Sequence, residues 1–526
     1  MAVAAAADTD TPITVLTGRG EKEQSDQFKE WADEHGLSYK LLPSFTSSTR
    51  GCPTAAGDHG EDWRDTVMGW YNRGATGQEI HNHAEDTLGR PLPCQTAEDG
   101  DRIDCEYRNV WGFDPDEHPD TGEPYDVLIG HYAHAHVEQV TAGRGVVFDE
   151  FPGGAYETTL AGEDLETAVS YWLQATDAVP FDSYHDLVEN RHDEDRRADG
   201  LLYLEDHVDA PDERAVFDDD DAHAAAPFAV WTLLAAEDLG NGLEYADLAD
   251  LGTGVFDHVP DAPADPSAVR LLQPPDLPPS ADVVALDGTP TLEMWELALG
   301  CHLNHRPVLQ DAERAEYLQD TLNLQLVPTT EYVKPYNSAD HVNTDADAAL
   351  FEAITDAHGE KPGVISTMTA LDGYDADGVL DLDRGDDGRL NGDVLDGPAD
   401  RVKWMGNVLG SNEFKQKRVG AVVGSNHYGD GYVKKWGAFA GRTVESPDRS
   451  KQDNRGKGLS YGPFGDKVQS HMVDDDTLQA VMRFGRDGNG AVVYVHTDTL
   501  PEWVPTAAEG RVLTTWSDGM RDVVDA

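Results

Sequence analysis

Apolar residues in this chain fall into short runs separated by longer amphipathic stretches, a pattern that predicts an α/β fold. Pro12-Ile-Thr-Val-Leu-Thr17 is a β-branched run suited to a buried strand. Glu21 to His35 follows with helix-compatible residues and an apolar pair at Phe28 and Trp31, and Ser38-Tyr-Lys-Leu-Leu42 reads as the next strand. Tyr125-Asp-Val-Leu-Ile129 and Gly145-Val-Val-Phe148 are two more strands, each ending in polar residues. Runs of this kind spaced by helices imply a parallel sheet with function at the strands' C-terminal ends. From 153 to 280 the helix-like stretches Leu165 to Ala175 and Ala225 to Glu237 alternate with acidic and Pro-rich segments, which predicts a mainly helical insertion. Ala281-Asp-Val-Val-Ala-Leu286 resumes the sheet, with Thr291 to Gly300 as a following helix. A second α/β pattern has strands at Gly363-Val-Ile-Ser366, Val419-Gly-Ala-Val-Val423 and Ala491-Val-Val-Tyr-Val495, and the Asp-rich stretch 371–400 is expected to be a solvated loop. The resulting division is a first domain over 1–152, an insertion over 153–280, the remainder of the first domain over 281–330, and a second domain over 331–526.

Composition narrows this picture. The chain has 526 residues, with 100 Asp plus Glu against 39 Lys plus Arg, a formal charge of −61. Global disorder is excluded by 39% hydrophobic residues, 11 Trp and 14 Phe, enough to fill sizeable cores. Such a charge repels nucleic acid and anionic membrane in dilute salt. In molar salt the Debye length falls to about 3 Å, and surface carboxylates then serve solubility. This halophilic reading is the one adopted, so local departures from the acidic average are what carry information. No window of 18 apolar residues occurs, and Met1-Ala-Val-Ala-Ala-Ala-Ala-Asp8 lacks the basic and apolar regions of a signal peptide. Four cysteines do not make a disulfide framework. The expectation is a cytoplasmic protein without a membrane span.

Several segments carry candidate chemistry. Val146-Val-Phe-Asp149-Glu150 delivers two adjacent carboxylates to a sheet edge, where one can hold Mg²⁺ through water and the other polarise an attacking water. Asp-Glu after a strand is also a common surface feature. In Gln479-Ala-Val-Met-Arg483-Phe-Gly-Arg486 the arginines are three apart, on one face if the segment is helical, and a guanidinium spreads charge over two phosphoryl oxygens at once. The alternative is a cationic helix end facing a carboxylate. Leu286-Asp-Gly288-Thr289-Pro290 runs from a strand into a turn with a hydroxyl, and Gly406 to Phe414 is a Gly/Asn/Ser loop of the kind that offers backbone N–H groups to phosphate.

In their order and spacing these pieces resemble the DNA helicases of superfamily 2, in particular the XPD/DinG-like branch. Thr17-Gly-Arg19 stands where that family has a DNA-tracking Thr loop, and Asp149-Glu150 where it has D-E-x-H, with Phe151-Pro152 replacing Ala-His. Asp287-Gly288-Thr289 is similar to its S-A-T motif, and Gly410-Ser411-Asn412-Glu-Phe414 to its E-G-x-D-F motif. Gln479, Arg483 and Arg486 match Q-x-x-G-R-x-x-R, with Met482 in place of Gly. Tyr125 to Tyr132 resembles the segment that precedes the D-E box. The resemblance implies two RecA-like domains facing each other across a nucleotide cleft, with an arch-like insertion in the first, and ATP and Mg²⁺ as ligands. Asp149 would hold Mg²⁺, Glu150 would orient water, and Arg483 and Arg486 would reach the γ-phosphate. Thr289 would couple ATP to DNA, touched by Thr17, Arg19, Gly410, Ser411 and Asn412.

The family's G-x-x-x-x-G-K-[ST] phosphate loop has no counterpart, because Gly456-Lys457 lacks both the upstream Gly and the Ser/Thr. The expectation is a chain lacking its own start, or a non-hydrolysing descendant that still binds nucleic acid. The branch carries four iron–sulfur ligands between the Thr loop and the D-E box. Here Cys52, Cys94 and Cys105 fall in that interval, with 41 and 10 residues between them. His59, His81, His83 or His118 could complete a zinc site or a cluster within 50–120; free buried thiols are the alternative. His131, His134 and His136 raise a separate option, a metal-dependent hydrolase. Finally, residues 401–470 hold 13 Lys/Arg against six acids, a third of all basic residues, with aromatics interleaved. Lys415, Lys417, Arg418, Lys434 and Lys435 are the candidate contacts to a phosphate backbone, most simply that of single-stranded DNA.

Overall fold

A computed structural model describes residues 11–18, 23–47, 50–98, 101–112, 118, 121–208, 214–257, 268–277, 282–385, 388, 390–408, 412–450 and 458–507. The chain divides into two compact units. The first runs to Asp287 and takes in Glu293–Leu303 and Gly437–Thr443; the second comprises Gly288–Leu292, Asn304–Trp436 and the chain from Val444 onward.

In the first unit β1 (Ile13–Thr17) is buried at every position, as its unbroken apolar run requires. It lies between two parallel neighbours, β5 (Val127–His131) and β6 (Gly145–Asp149). Outside these lie β2 (Tyr39–Leu41) against β5 and β12 (Val283–Leu286) against β6, both parallel, so the order is β12-β6-β1-β5-β2. Helix Glu23–His35 buries Phe28 and Ala32 on one face of this sheet with Ile13, Val15, Val127 and Ile129. Burying each such side chain contributes about 1.5–3 kcal/mol. The buried guanidinium of Arg144 donates to Thr14 Oγ1 and to the carbonyls of Ile13 and Tyr125, tying together the strands' starts. Between β2 and β5 stands a helical lobe, chiefly Glu61–Asn72, Gly77–Leu88 and Glu106–Trp111, with a small hairpin of β3 (Thr96–Glu98) and β4 (Asp101–Ile103).

The insertion after β6 contains the expected helices, Gly162–Ala175 and Ala226–Ala235 among them. It also holds an antiparallel sheet that the sequence reading did not anticipate. This sheet has the order β7-β11-β10-β9-β8, formed by β7 (Glu157–Ala161), β8 (Glu237–Asp238), β9 (Leu243–Asp247), β10 (Thr253–Asp257) and β11 (Ala268–Leu272). Helix Ala226–Ala235 packs on it through Ala229, Val230, Leu233 and Leu234, against Ala246, Phe256, Val269 and Leu271.

The second unit has a seven-stranded sheet. β13 (Leu324–Pro328), β19 (Ala491–His496), β18 (Val419–Val423), β14 (Gly363–Ser366) and β17 (Arg401–Trp404) run parallel in that order. β16 (Leu390–Asp396) and β15 (Asp381–Arg384) extend it antiparallel. Two expectations are corrected here. The 371–400 stretch is the end of helix Met368–Ala376 plus this β15–β16 hairpin, because Leu382 and Ala399 turn into the core while the acids stay outside. Residues 304–330 belong to the second unit, because Leu324–Pro328 pairs with β19. Among the described residues, no helix is long and apolar enough to cross a membrane.

Candidate nucleotide, nucleic-acid and metal sites

Asp149 ends β6 in register with Thr17 of β1 and Leu286 of β12, so three parallel strands deliver residues to one edge. Thr17 Oγ1 lies 3.5 Å from Asp149 Oδ2, to which it donates. Burial raises the Asp149 carboxyl above the usual carboxylate range, and the Thr17 hydroxyl works against that shift. Glu150 has φ of 71°, a left-handed conformation that costs a non-glycine residue roughly 1–2 kcal/mol. Three contacts hold it there: Glu150 N donates to Leu286 O at 2.8 Å, and the Tyr132 hydroxyl proton is shared between the carbonyls of Asp149 and Glu150. Strained backbone of this kind clusters at functional sites. Behind the pair, Trp295 packs edge-on against Phe148 and Phe151 and donates from Nε1 to Asp287 at 2.8 Å. The sequence reading named neither Tyr132 nor Trp295 as a site residue. Tyr132 lies directly between the noted histidines, and its spacing from the D-E pair was the available signal.

Thr17 itself is fully buried and turned to Asp149, which corrects its expected role as a contact to DNA. Arg19 lies outside the described residues, as do Gly410 and Ser411; Asn412 is exposed.

In the second unit Gln479 Nε2 donates to Thr289 Oγ1 at 3.0 Å, while Gly288 O accepts from Arg314 at 2.9 Å. This joins the Thr turn directly to helix Asp476–Val481. The two arginines depart from expectation. The helix stops at Val481, Phe484 inserts into the core against Phe414, and Gly485 turns with φ of 62°. Arg483 and Arg486 therefore share no helical face: Arg483 is buried, and Arg486 is exposed with Nε on Met482 O at 2.8 Å.

At least five of the tract's described basic residues are paired with acids. Lys417 pairs with Asp400, and Arg418 with both oxygens of Asp487. Arg401 pairs with Asp393, Lys403 with Glu413, and Arg449 with Asp430. Lys415 is exposed, and Lys434 and Lys435 are half-exposed on helix Asp430–Phe439, with Lys435 Nζ 5.3 Å from the Tyr432 ring centre.

Cys52, His81, Cys94 and Cys105 converge in the helical lobe, with one ligand atom from each lying within 4.8 Å of all the others. Hydrogen bonds with Cys105 and Cys94 hold the Cys52 thiol well below its ordinary range. Among the four histidines considered, it is His81 that joins the cysteines; Cys301 is exposed. The His131, His134 and His136 cluster does not form a metal group. His131 Nδ1 accepts from Ala133 N and His134 Nδ1 from His131 N, while the rings of His134 and His136 pack on Trp111 and Tyr156. Burial pushes the His134 imidazole down to about 3, so it stays neutral.

No family model matches the chain, and no curated protein matches it. Solved structures are similar to it, among them these two. One is S. tokodaii Xpd4, with a TM-score of 0.42 and 8% identity over 96% of this chain and 93% of that one. The other is an apo XPD structure, with a TM-score of 0.33 and 9% identity over 94% of each chain.

Proposed function

We propose that this chain is a helicase-fold protein that binds DNA, as a single strand, and carries part of an ATP-hydrolysing centre. The observation that supports this most is the Asp149-Glu150 pair at the C-terminal end of a central parallel strand, one carboxylate tethered by Thr17 and the other held at positive φ. On this reading Asp149 holds Mg²⁺ through water and Glu150 orients the water that attacks ATP. In the second unit the exposed Arg486 is the guanidinium that meets a phosphate, Arg483 supports its turn from the core, and the Gln479–Thr289 hydrogen bond relays the state of that turn. ATP binding by this chain alone is weak, since no Gly-x-x-x-x-Gly-Lys-Ser/Thr sequence is present to cradle the phosphates.

That same missing sequence supports a second reading, a non-catalytic DNA-binding protein of the same fold. ATP hydrolysis measured in molar KCl separates the two, with and without single-stranded DNA, on this chain and on a form preceded by a phosphate-loop segment. The first reading expects DNA-stimulated turnover with the added segment, lost in Glu150→Gln. DNA binding with no turnover in either form establishes the second reading instead.

Exposure, with an aromatic ring alongside in the case of Lys435, marks the lysines that should matter. Replacing Lys415, Lys434 and Lys435 together with Gln should lower the slope of log affinity against log salt by about two to three, as three lost phosphate contacts require. Replacing Lys417 and Arg418, already paired with Asp400 and Asp487, should leave that slope unchanged. Equal slopes for wild type and the triple variant, in titrations of a fluorescent single strand, would remove these lysines from the DNA interface.

A further inference from the structure

The resemblance to iron–sulfur helicases raises the question of what the Cys/His group holds. A multi-iron cluster places each protein ligand on a different iron, so its ligand atoms stand apart by the width of the cluster. A single zinc ion draws its ligands together. With Zn–S near 2.3 Å and Zn–N near 2.0–2.1 Å, the edges of the tetrahedron are about 3.5–3.8 Å. In this lobe Cys52 Sγ lies 3.5 Å from Cys94 Sγ, Cys94 Sγ 3.6 Å from His81 Nε2, and Cys105 Sγ 3.4 Å from His81 Nε2. Those three separations are close to the edges of a tetrahedron around one ion, and all four ligand atoms lie within 4.8 Å of one another. The donor set fits a mononuclear site and does not fit a cluster.

We propose that Cys52, His81, Cys94 and Cys105 form a tetrahedral Cys₃His site for a single zinc ion. The surroundings are those of a closed structural site. Cys52, His81 and Cys105 are buried and Cys94 is partly so, and four protein ligands complete a tetrahedron as structural sites do. His81 Nδ1 bonds the Gly77 carbonyl at 2.5 Å, which fixes the tautomer with Nε2 bare and aimed at the three sulfurs. Its ring is stacked on Tyr107 and met edge-on by Phe45, so the imidazole is positioned before any metal arrives. Gly77 admits this packing, because a Cβ there would fall 2.5 Å from both Phe45 and Tyr107. The ligands come from well-separated points, two of them just ahead of helices Pro53–Ala56 and Glu106–Trp111 and one within Gly77–Leu88. One ion thus closes the lobe that stands between β2 and β5. This inference does not depend on the ATPase reading.

The test is metal and acid-labile sulfide analysis of the full chain, purified under argon from medium holding both iron and zinc. About one zinc per chain, with no sulfide and no iron, is expected. Exchange with Co²⁺ should give the visible bands of tetrahedral cobalt with thiolate charge transfer. His81→Cys should keep one ion and shift those bands toward a four-thiolate pattern, so the assignment survives even if Cys105→Ser fails to fold. Iron in place of zinc, with or without sulfide, overturns the proposal. So does a metal-free protein with Cys52 and Cys94 as thiols or joined by a disulfide.

Discussion

Replacing Arg191 with Met should destabilise the insertion by about 3–5 kcal/mol, because it strands the carboxylate of Glu244 inside an apolar core. Arg191 reaches Glu244 with two N–H groups, and the two side chains are 7% and 4% exposed. The guanidinium also donates to Leu233 O at 3.3 Å and lies 5.6 Å from the Phe256 ring centre. It therefore ties the end of helix Tyr184–Asn190 to helix Ala226–Ala235 and to β9 and β10. The double variant Arg191→Met, Glu244→Leu should recover most of the loss, since a matched apolar pair removes both desolvation costs. A pair out of water is barely screened, so the effect should persist in molar KCl, whereas surface pairs such as Arg449–Asp430 should lose theirs. Hydrogen exchange within Leu243–Asp247 and Thr253–Asp257 reads the insertion without assuming that the whole chain unfolds in one step. Protection unchanged in the single variant would show that this pair does not hold the insertion together.

What could be read from the sequence follows a physical divide. Ile13–Thr17, Gly145–Asp149, Gly363–Ser366 and Val419–Val423 are buried on both faces, so their apolar runs are unbroken and their positions were evident. Strands with one wet face are harder to see in a chain this acidic. In Leu243–Asp247 the buried positions are Glu244 and Ala246, and in Leu390–Asp396 the one buried position is Gly392, so neither strand shows an apolar run. Site residues divide in the same way. Asp149 and Glu150 follow directly from the strand that carries them. The separation of Arg483 from Arg486 depends on Phe484 entering the core, and the neutralisation of Arg418 depends on Asp487, 69 residues away. His81 was one of four histidines in its interval, and only the packing of Phe45 and Tyr107 selects it. Contacts between distant segments leave no local pattern.

Asp347 should produce the second large effect, and it is visible through pH. The residue is fully buried in helix Thr344–His358, accepting from Tyr336 Oη at 3.1 Å and Tyr374 Oη at 2.9 Å. His496 Nε2 is 3.7 Å away, and Lys334 faces the same group with its Nζ on Tyr336 Oη. These residues brace the C-terminal edge of the second sheet: His496 ends β19, and Lys334 O accepts from Ser425 just beyond β18. Burial raises the Asp347 carboxyl to about 6, with Lys334 and the two tyrosines pulling the other way. A carboxyl raised on folding gives stability that is fully present below its unfolded value, near 3.8, and is lost as pH rises through 6. The loss amounts to about 3 kcal/mol. His496 acts oppositely, since burial keeps it neutral and stability falls as the unfolded histidine gains its proton below about 6.5. Between about pH 4 and 6 these two titrations oppose each other. Asp347→Asn removes one of them, so its cost relative to wild type should shrink by roughly 2 kcal/mol between pH 4 and pH 7. At any given pH Asp347→Leu should be about 2–5 kcal/mol less stable than Asp347→Asn, because it leaves two buried tyrosine hydroxyls without their acceptor. Denaturant unfolding of both variants across this range is the measurement, and a pH-independent difference for Asp347→Asn would mean that the carboxyl is already ionised throughout.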